Sequence, residues 1–309
     1  MRAEDCTWSN NSGREGATMR LGLSGGPLPR RAADITPALA REVRALGFTG
    51  VTLHLLDEDP FALGPETCAR IRETFALAGV RVVHSSGWMP CLIHPDETVR
   101  RRGLERLQQA CRVARWLGAE GVLTGCGSLN PAGGYAPHPF NYSRQAFDLL
   151  VSSLRAAAPV AEDNGVQIVL ESHVLTTLRS PQQTAAVIRA VDSPAVRANF
   201  DLVNYLTLET VYAPALALDQ ALLFLAPYVV SAHLKDVRVE PGLVTHIVEA
   251  APGEGVFDLG LVLQRLAPFL AGRYMFIEHL PAEKVPAAVQ AVRQVAAAVG
   301  LVFESDGEE

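Results

Sequence analysis

From Arg20 onward the chain alternates short β-branched runs with longer Ala/Leu/Arg segments of helical period, and it does so eight times. Parallel strands need a covered crossover between them, so this alternation predicts repeated βα units around a parallel sheet. The expected strands are Arg20–Ser24, Gly50–Leu55, Arg81–Ser85, Gly121–Thr124, Gln167–Ser172, Val196–Asp201, Val229–Asp236 and Tyr274–His279. Expected helices fill most intervals, with Gly79 and Gly118 closing the second and third and a disturbance at Pro159 in the fourth. Two intervals, Gly125–Tyr142 and Val237–Phe257, read as long loops, which in a compact domain usually serve function.

Eight units predict an α/β fold of one domain, a (β/α)8 TIM barrel over residues 19–303, within the usual size of about 250 residues and above. A doubly wound sheet is the alternative, but no GxGxxG follows the first strand. Residues 1–18 are polar without an apolar core, so they predict a disordered tail, neither signal peptide nor anchor. Residues 304–309 read as an acidic tail.

The late strands end in chemistry. Glu171, Asp201, His233 and Glu278 finish strands five to eight, where the active sites of such barrels lie. Alternation along a strand places His233 and Lys235 on one face and Leu234 and Asp236 on the other. Three carboxylates and an imidazole brought together repel unless some are protonated or a cation sits among them. A divalent metal is the simplest resolution, and oxygen donors with one nitrogen suit Mn2+, Mg2+, Co2+ or Fe2+, with Zn2+ also compatible. One strand-end carboxylate reads as a structural hydrogen-bonding group; four at matching positions favour a metal site.

Other polar groups near the expected mouth are candidates for substrate binding. His54 and His84 face inward by strand alternation, and Trp88 offers a ring on which a sugar can stack. His173, Lys235 and Arg238 suit hydroxyls, a carboxylate or a phosphate, with Lys235 alternatively an internal salt-bridge partner. A net charge of −6 and pI near 5.8 argue against a nucleic-acid partner, and no apolar stretch is long enough to span a membrane. Five cysteines (Cys6, Cys68, Cys91, Cys111 and Cys126) without a CxxC predict a reduced, cytoplasmic protein, and Cys126 lacks the base partner of a catalytic thiol.

The Glu171 ending, Asp201-Leu-Val-Asn204, His233-Leu-Lys-Asp236, Gly253-Glu-Gly-Val-Phe-Asp258 and Ile277-Glu278 together give a resemblance. Over roughly Arg20 to Gly300 the chain resembles the xylose isomerase-like TIM barrels, which include sugar phosphate isomerases/epimerases, ketose 3-epimerases, inosose dehydratase and endonuclease IV. The resemblance implies Glu171, Asp201, His233 and Glu278 as metal ligands, and among the metals that this donor set suits Mn2+ is taken first. It also implies Glu171 and Glu278 as the acid/base pair that exchanges a proton on opposite faces of a bound ketose, while the metal polarises the carbonyl. The expected activity is therefore a metal-dependent isomerase or epimerase of a sugar, keto-sugar or cyclitol in carbohydrate metabolism. One position departs: Asn204 stands where ketose 3-epimerases often carry histidine, and it is a further substrate-binding candidate. A dehydratase or lyase on a related polyol or keto-acid is the alternative, with an endonuclease IV-like phosphodiesterase and a non-catalytic binding barrel behind it. A homo-oligomer is left open.

Overall fold

The computed structural model of the chain describes residues 18–304. The tail expected over residues 1–18 therefore lies, up to residue 17, outside the described residues, as do residues 305–309 of the acidic tail. The barrel strands are β1 (Arg20–Ser24), β2 (Gly50–His54), β3 (Arg81–Ser86), β4 (Gly121–Thr124), β5 (Gln167–Glu171), β6 (Val196–Phe200), β7 (Val229–Leu234) and β10 (Tyr274–Glu278). They pair in parallel and close in the order β1-β10-β7-β6-β5-β4-β3-β2, with β1 meeting β10 at Ser24↔Glu278.

The helices α1 (Pro37–Ala45), α2 (Pro65–Ala76), α3 (Glu97–Leu117), α4 (Arg144–Asp163), α5 (Pro181–Val191), α6 (Pro214–Leu225), α7 (Leu259–Leu266) and α8 (Val285–Ala298) follow successive barrel strands. Their starts are encoded locally. Thr36, Asp96, Ser143, Ser180 and Asp258 each accept a backbone N–H of the first turn, and proline opens α1, α2, α5 and α6. Gly118 ends α3 at φ 68°, a conformation that costs glycine nothing. α4 continues through Pro159 to Asp163, so the proline does not end it. No helix among the described residues is long and apolar enough to cross a membrane.

One expected loop is corrected. Val237–Phe257 contains a β-hairpin, β8 (Asp236–Glu240) antiparallel to β9 (His246–Ala250). The expected seventh strand accordingly stops at Leu234, and the chain turns at Lys235 into the hairpin. The turn is held by Asp236, whose buried carboxylate accepts the backbone N–H groups of Val237, Gly253, Gly255 and Phe257 at 2.8 to 3.2 Å. Gly255 has to be small there, since an added Cβ would stand 2.1 Å from Asp236 Oδ1.

Inside the barrel, Tyr274 and Phe276 stack at 5.7 Å and fill the space left by Gly50 and Gly22. An irregularity between β2 and β3 pairs Val51 with Val82 but Thr52 with His84, skipping Val83. Val83 packs with Tyr274 and Phe276, and the His84 ring also lies 5.5 Å from Phe276, so the extra residue brings both side chains to the barrel interior. Apolar residues such as Phe48, Phe75, Leu107 and Ile168 build the larger core between strands and helices. At the chain ends, Met19 bridges Phe303, and Glu304 accepts from Thr18 and pairs with Arg20. Glu304, expected as the first residue of a tail, is therefore tied to β1.

Candidate metal centre

Four consecutive barrel strands, β5, β6, β7 and β10, deliver Glu171, Asp201, His233 and Glu278 to one point at their C-terminal ends. One donor atom from each lies within 4.8 Å of the others. Glu171 Oε1, Asp201 Oδ2 and Glu278 Oε2 approach His233 Nδ1 at 2.9, 3.3 and 2.9 Å. A ring nitrogen carries at most one proton, so at most one of these contacts is a hydrogen bond, and Asp201 makes it. Glu171 Oε1 and Glu278 Oε2 are buried with no hydrogen-bond partner, a state that costs free energy unless something satisfies them.

The donor set fits a divalent cation. Separations near 3 Å match the ligand-to-ligand edge of an octahedral shell with metal–oxygen bonds of about 2.1 Å. Charge agrees, since three carboxylates against Lys235 and one imidazolium leave an excess of one negative charge, and against a neutral imidazole an excess of two. Lys235 Nζ sits 2.6 Å from Glu278 Oε2 and 2.9 Å from Asp201 Oδ2. Neither contact has hydrogen-bond geometry, so these are ionic contacts.

The electrostatics follow from burial opposed by charge. Burial by itself would lower the pKa of His233, but Glu278, Asp201 and Glu171 outweigh it and hold it well above the usual histidine range. Lys235 is raised in the same way, burial being overcome by Asp201 and Glu278. Burial would raise Glu278, yet His233 and Lys235 keep it well below the usual carboxylate range. The anionic field that holds these two cations is the field that draws a metal ion.

Each glutamate also has an outward oxygen. Glu278 Oε1 accepts from Ser24 Oγ at 3.0 Å, and Ser24 lies 2.9 Å from His54 Nε2. Glu171 Oε2 accepts from Tyr135, in the β4–α4 loop, at 3.0 Å. His279, in left-handed backbone at φ 59°, stands beside Glu278 and Glu249. Sequence reasoning named neither Ser24 nor Tyr135. Ser24 was legible as the inward end of β1, two residues beyond Gly22, whereas Tyr135 sits in an irregular loop with no period to place it.

The remaining candidates divide by location. His54 is half-buried beside Glu278, and burial, partly offset by Glu278, lowers its pKa. His173 is half-buried, its ring edge-on to Tyr135 at 5.8 Å. Asn204 lies half-buried in a short 3-10 turn, with its carbonyl accepting from Val174. Arg238 is exposed on β8 and is not one of the four clustered residues. His84 lies within the barrel, 2% exposed, beside Thr52. Trp88 is enclosed, its indole donating to Ser85 Oγ at 3.4 Å and its carbonyl accepting from Arg106 at 2.5 Å. It therefore presents no open face to solvent.

Similarity to known proteins is one of fold. A xylose isomerase domain protein from Planctomyces limnophilus aligns with a TM-score of 0.68 at 17% identity, over 93% of this chain and 99% of its own. A xylose isomerase-like TIM barrel protein from Mycobacterium smegmatis, in complex with magnesium, aligns at 0.66 and 20% identity, over 93% and 98%. L-ribulose 3-epimerase aligns at 0.68 and 19% identity, over 91% and 94%. No curated protein matches the chain in sequence. The sequence profile of the xylose isomerase-like TIM barrel family matches residues 40–295, most of the chain and a span that includes all four strand-end residues of the cluster. With the closed eight-stranded barrel and its strand-end cluster, that match makes this chain a member of the xylose isomerase-like TIM barrel family.

Proposed function

We propose that the protein is a divalent-metal-dependent epimerase or isomerase of a keto-sugar or cyclitol, acting by proton exchange at the carbon beside a carbonyl. The observation that carries this reading is the divided use of the two glutamates. Each turns one oxygen toward the donor cluster and the other toward a protein hydroxyl, and they arrive on either side of Asp201 and His233. A bound divalent ion, with Mn2+ our first choice for this oxygen-rich set, supplies positive charge where a carbonyl oxygen becomes negative. Glu171 and Glu278 take and return the proton, and a base on each face allows inversion at carbon. Against burial, His233 and Lys235 hold Glu278 ionised, the form that can accept a proton. His54, His173 and Asn204 orient hydroxyls, and His84 and Trp88 shape the wall behind them. Structures named as epimerases of L-ribulose, D-psicose and 3-keto-D-glucoside share the fold and support this choice of substrate class.

The test is deuterium incorporation from D2O by the Mn2+-loaded protein on a panel of ketoses, keto-glycosides and inososes. Exchange beside the carbonyl with formation of the epimer or isomer, lost in Glu171→Gln, is the expected result. Release of water to give an eliminated product would replace the epimerase by a lyase. No exchange on any member of the panel would count against the reading.

A further inference from the structure

Tyr135 stands in the irregular stretch between β4 and α4, and its contact with Glu171 has the marks of a built one. The chain just beyond it is clamped. Asn141, fully buried, donates from Nδ2 to Leu175 O and Ser128 Oγ at 2.9 and 3.1 Å and lies 3.3 Å from Ala136 O, to which Ser128 Oγ donates at 2.7 Å. Asn130 Nδ2 holds Pro137 O at 2.8 Å. On the opposite side Gly125 clears the path, because a Cβ there would stand 2.9 Å from the Tyr135 hydroxyl. The ring packs edge-on against His173. The phenol hydroxyl donates and the Glu171 carboxylate, which has no proton to give, accepts.

The consequence falls on the geometry of the carboxylate. A free glutamate at the end of β5 can offer a cation either oxygen or both. With Oε2 bonded to Tyr135, Oε1 alone faces His233 Nδ1, at 2.9 Å. We propose that Tyr135 is a positioning residue for Glu171, fixing one carboxylate oxygen for the metal and holding the other at the barrel mouth for proton exchange. Glu278 obtains the same division from Ser24, a strand residue. Glu171 obtains it from a loop, so its orientation depends on how that loop is folded. The inference rests on the metal-dependent reading above.

Calorimetric titration of Mn2+ into the full-length protein and its Tyr135→Phe variant tests it without a substrate. Tyr135→Phe keeps the ring against His173 and removes only the hydroxyl. Loss of a partner that orients a ligand typically weakens metal affinity by 10- to 100-fold, so about 10-fold weaker binding at unchanged stoichiometry is expected. Gly125→Ala, which crowds the phenol without touching its chemistry, should move affinity the same way. In a Glu171→Ala background, Tyr135→Phe should have no further effect. With the substrate found by the deuterium screen, kcat should fall about 10-fold while KM stays within about two-fold. Wild-type Mn2+ affinity in Tyr135→Phe, or an equal loss in the Glu171→Ala background, overturns the positioning role alone. A wild-type protein that takes up no Mn2+ overturns the metal reading and this inference with it.

Discussion

Acidification from pH 7 to pH 5 probes the polar interior of the barrel through His84. The imidazole is 2% exposed, lies 5.5 Å from the Phe276 ring and has the neutral Thr52 hydroxyl at 3.4 Å. Burial, followed by the charges of His233 and His54, lowers its pKa from 6.5 to about 3. In the unfolded chain the same ring titrates near 6.5, so between those values the unfolded state binds a proton that the folded state refuses. Stability from this group is therefore complete above pH 6.5 and is lost as pH falls toward 3. At pH 5, which is 1.5 units below 6.5, the unfolded state gains RT ln(1 + 10^1.5), roughly 2 kcal/mol, and at pH 7 it gains almost nothing. Urea unfolding of wild type and His84→Gln at both pH values separates this contribution from those of other groups. Wild type should lose about 2 kcal/mol more than the variant between pH 7 and pH 5. Parallel losses would refute a neutral, buried His84.

Three further outcomes are expected. Asp236→Ala, which strands the four backbone N–H groups around the Gly253–Phe257 turn, should lower stability by at least about 3 kcal/mol in urea unfolding; a change within about 0.5 kcal/mol would mean that the turn is held otherwise. His233→Ala should sharply lower bound Mn2+ in elemental analysis, since three carboxylate oxygens converge on its Nδ1, and unchanged stoichiometry would remove it from the ligand set. Glu171→Gln should abolish turnover, by about 1,000-fold or more, with a far-ultraviolet circular dichroism spectrum like that of wild type; wild-type rates would exclude Glu171 as a base.

Much of the fold was legible because its signals are local. β-branched runs of strand length and closing glycines such as Gly118 each act within a few residues, and the runs placed all eight barrel strands to within a residue or two. The β8–β9 hairpin was legible too and was missed. Asp236-Val-Arg-Val-Glu240 alternates apolar and polar residues and runs into Pro241-Gly242, a strand and a turn in plain form.

Strand alternation also settled which side of the chain each strand-end residue occupies, so the shared direction of Glu171, Asp201, His233 and Glu278 and the opposite courses of Lys235 and Asp236 were legible in the sequence. Tertiary structure decided the rest. It placed Lys235 Nζ between Asp201 and Glu278, closed Trp88 into the core, and used the skipped residue Val83 to bring both Val83 and His84 into the barrel. It also carried Tyr135 from an irregular loop to Glu171. Periodicity fixes direction within one element, but distance between elements depends on barrel closure, on register and on how a loop packs against its neighbours, and no single stretch of chain encodes those.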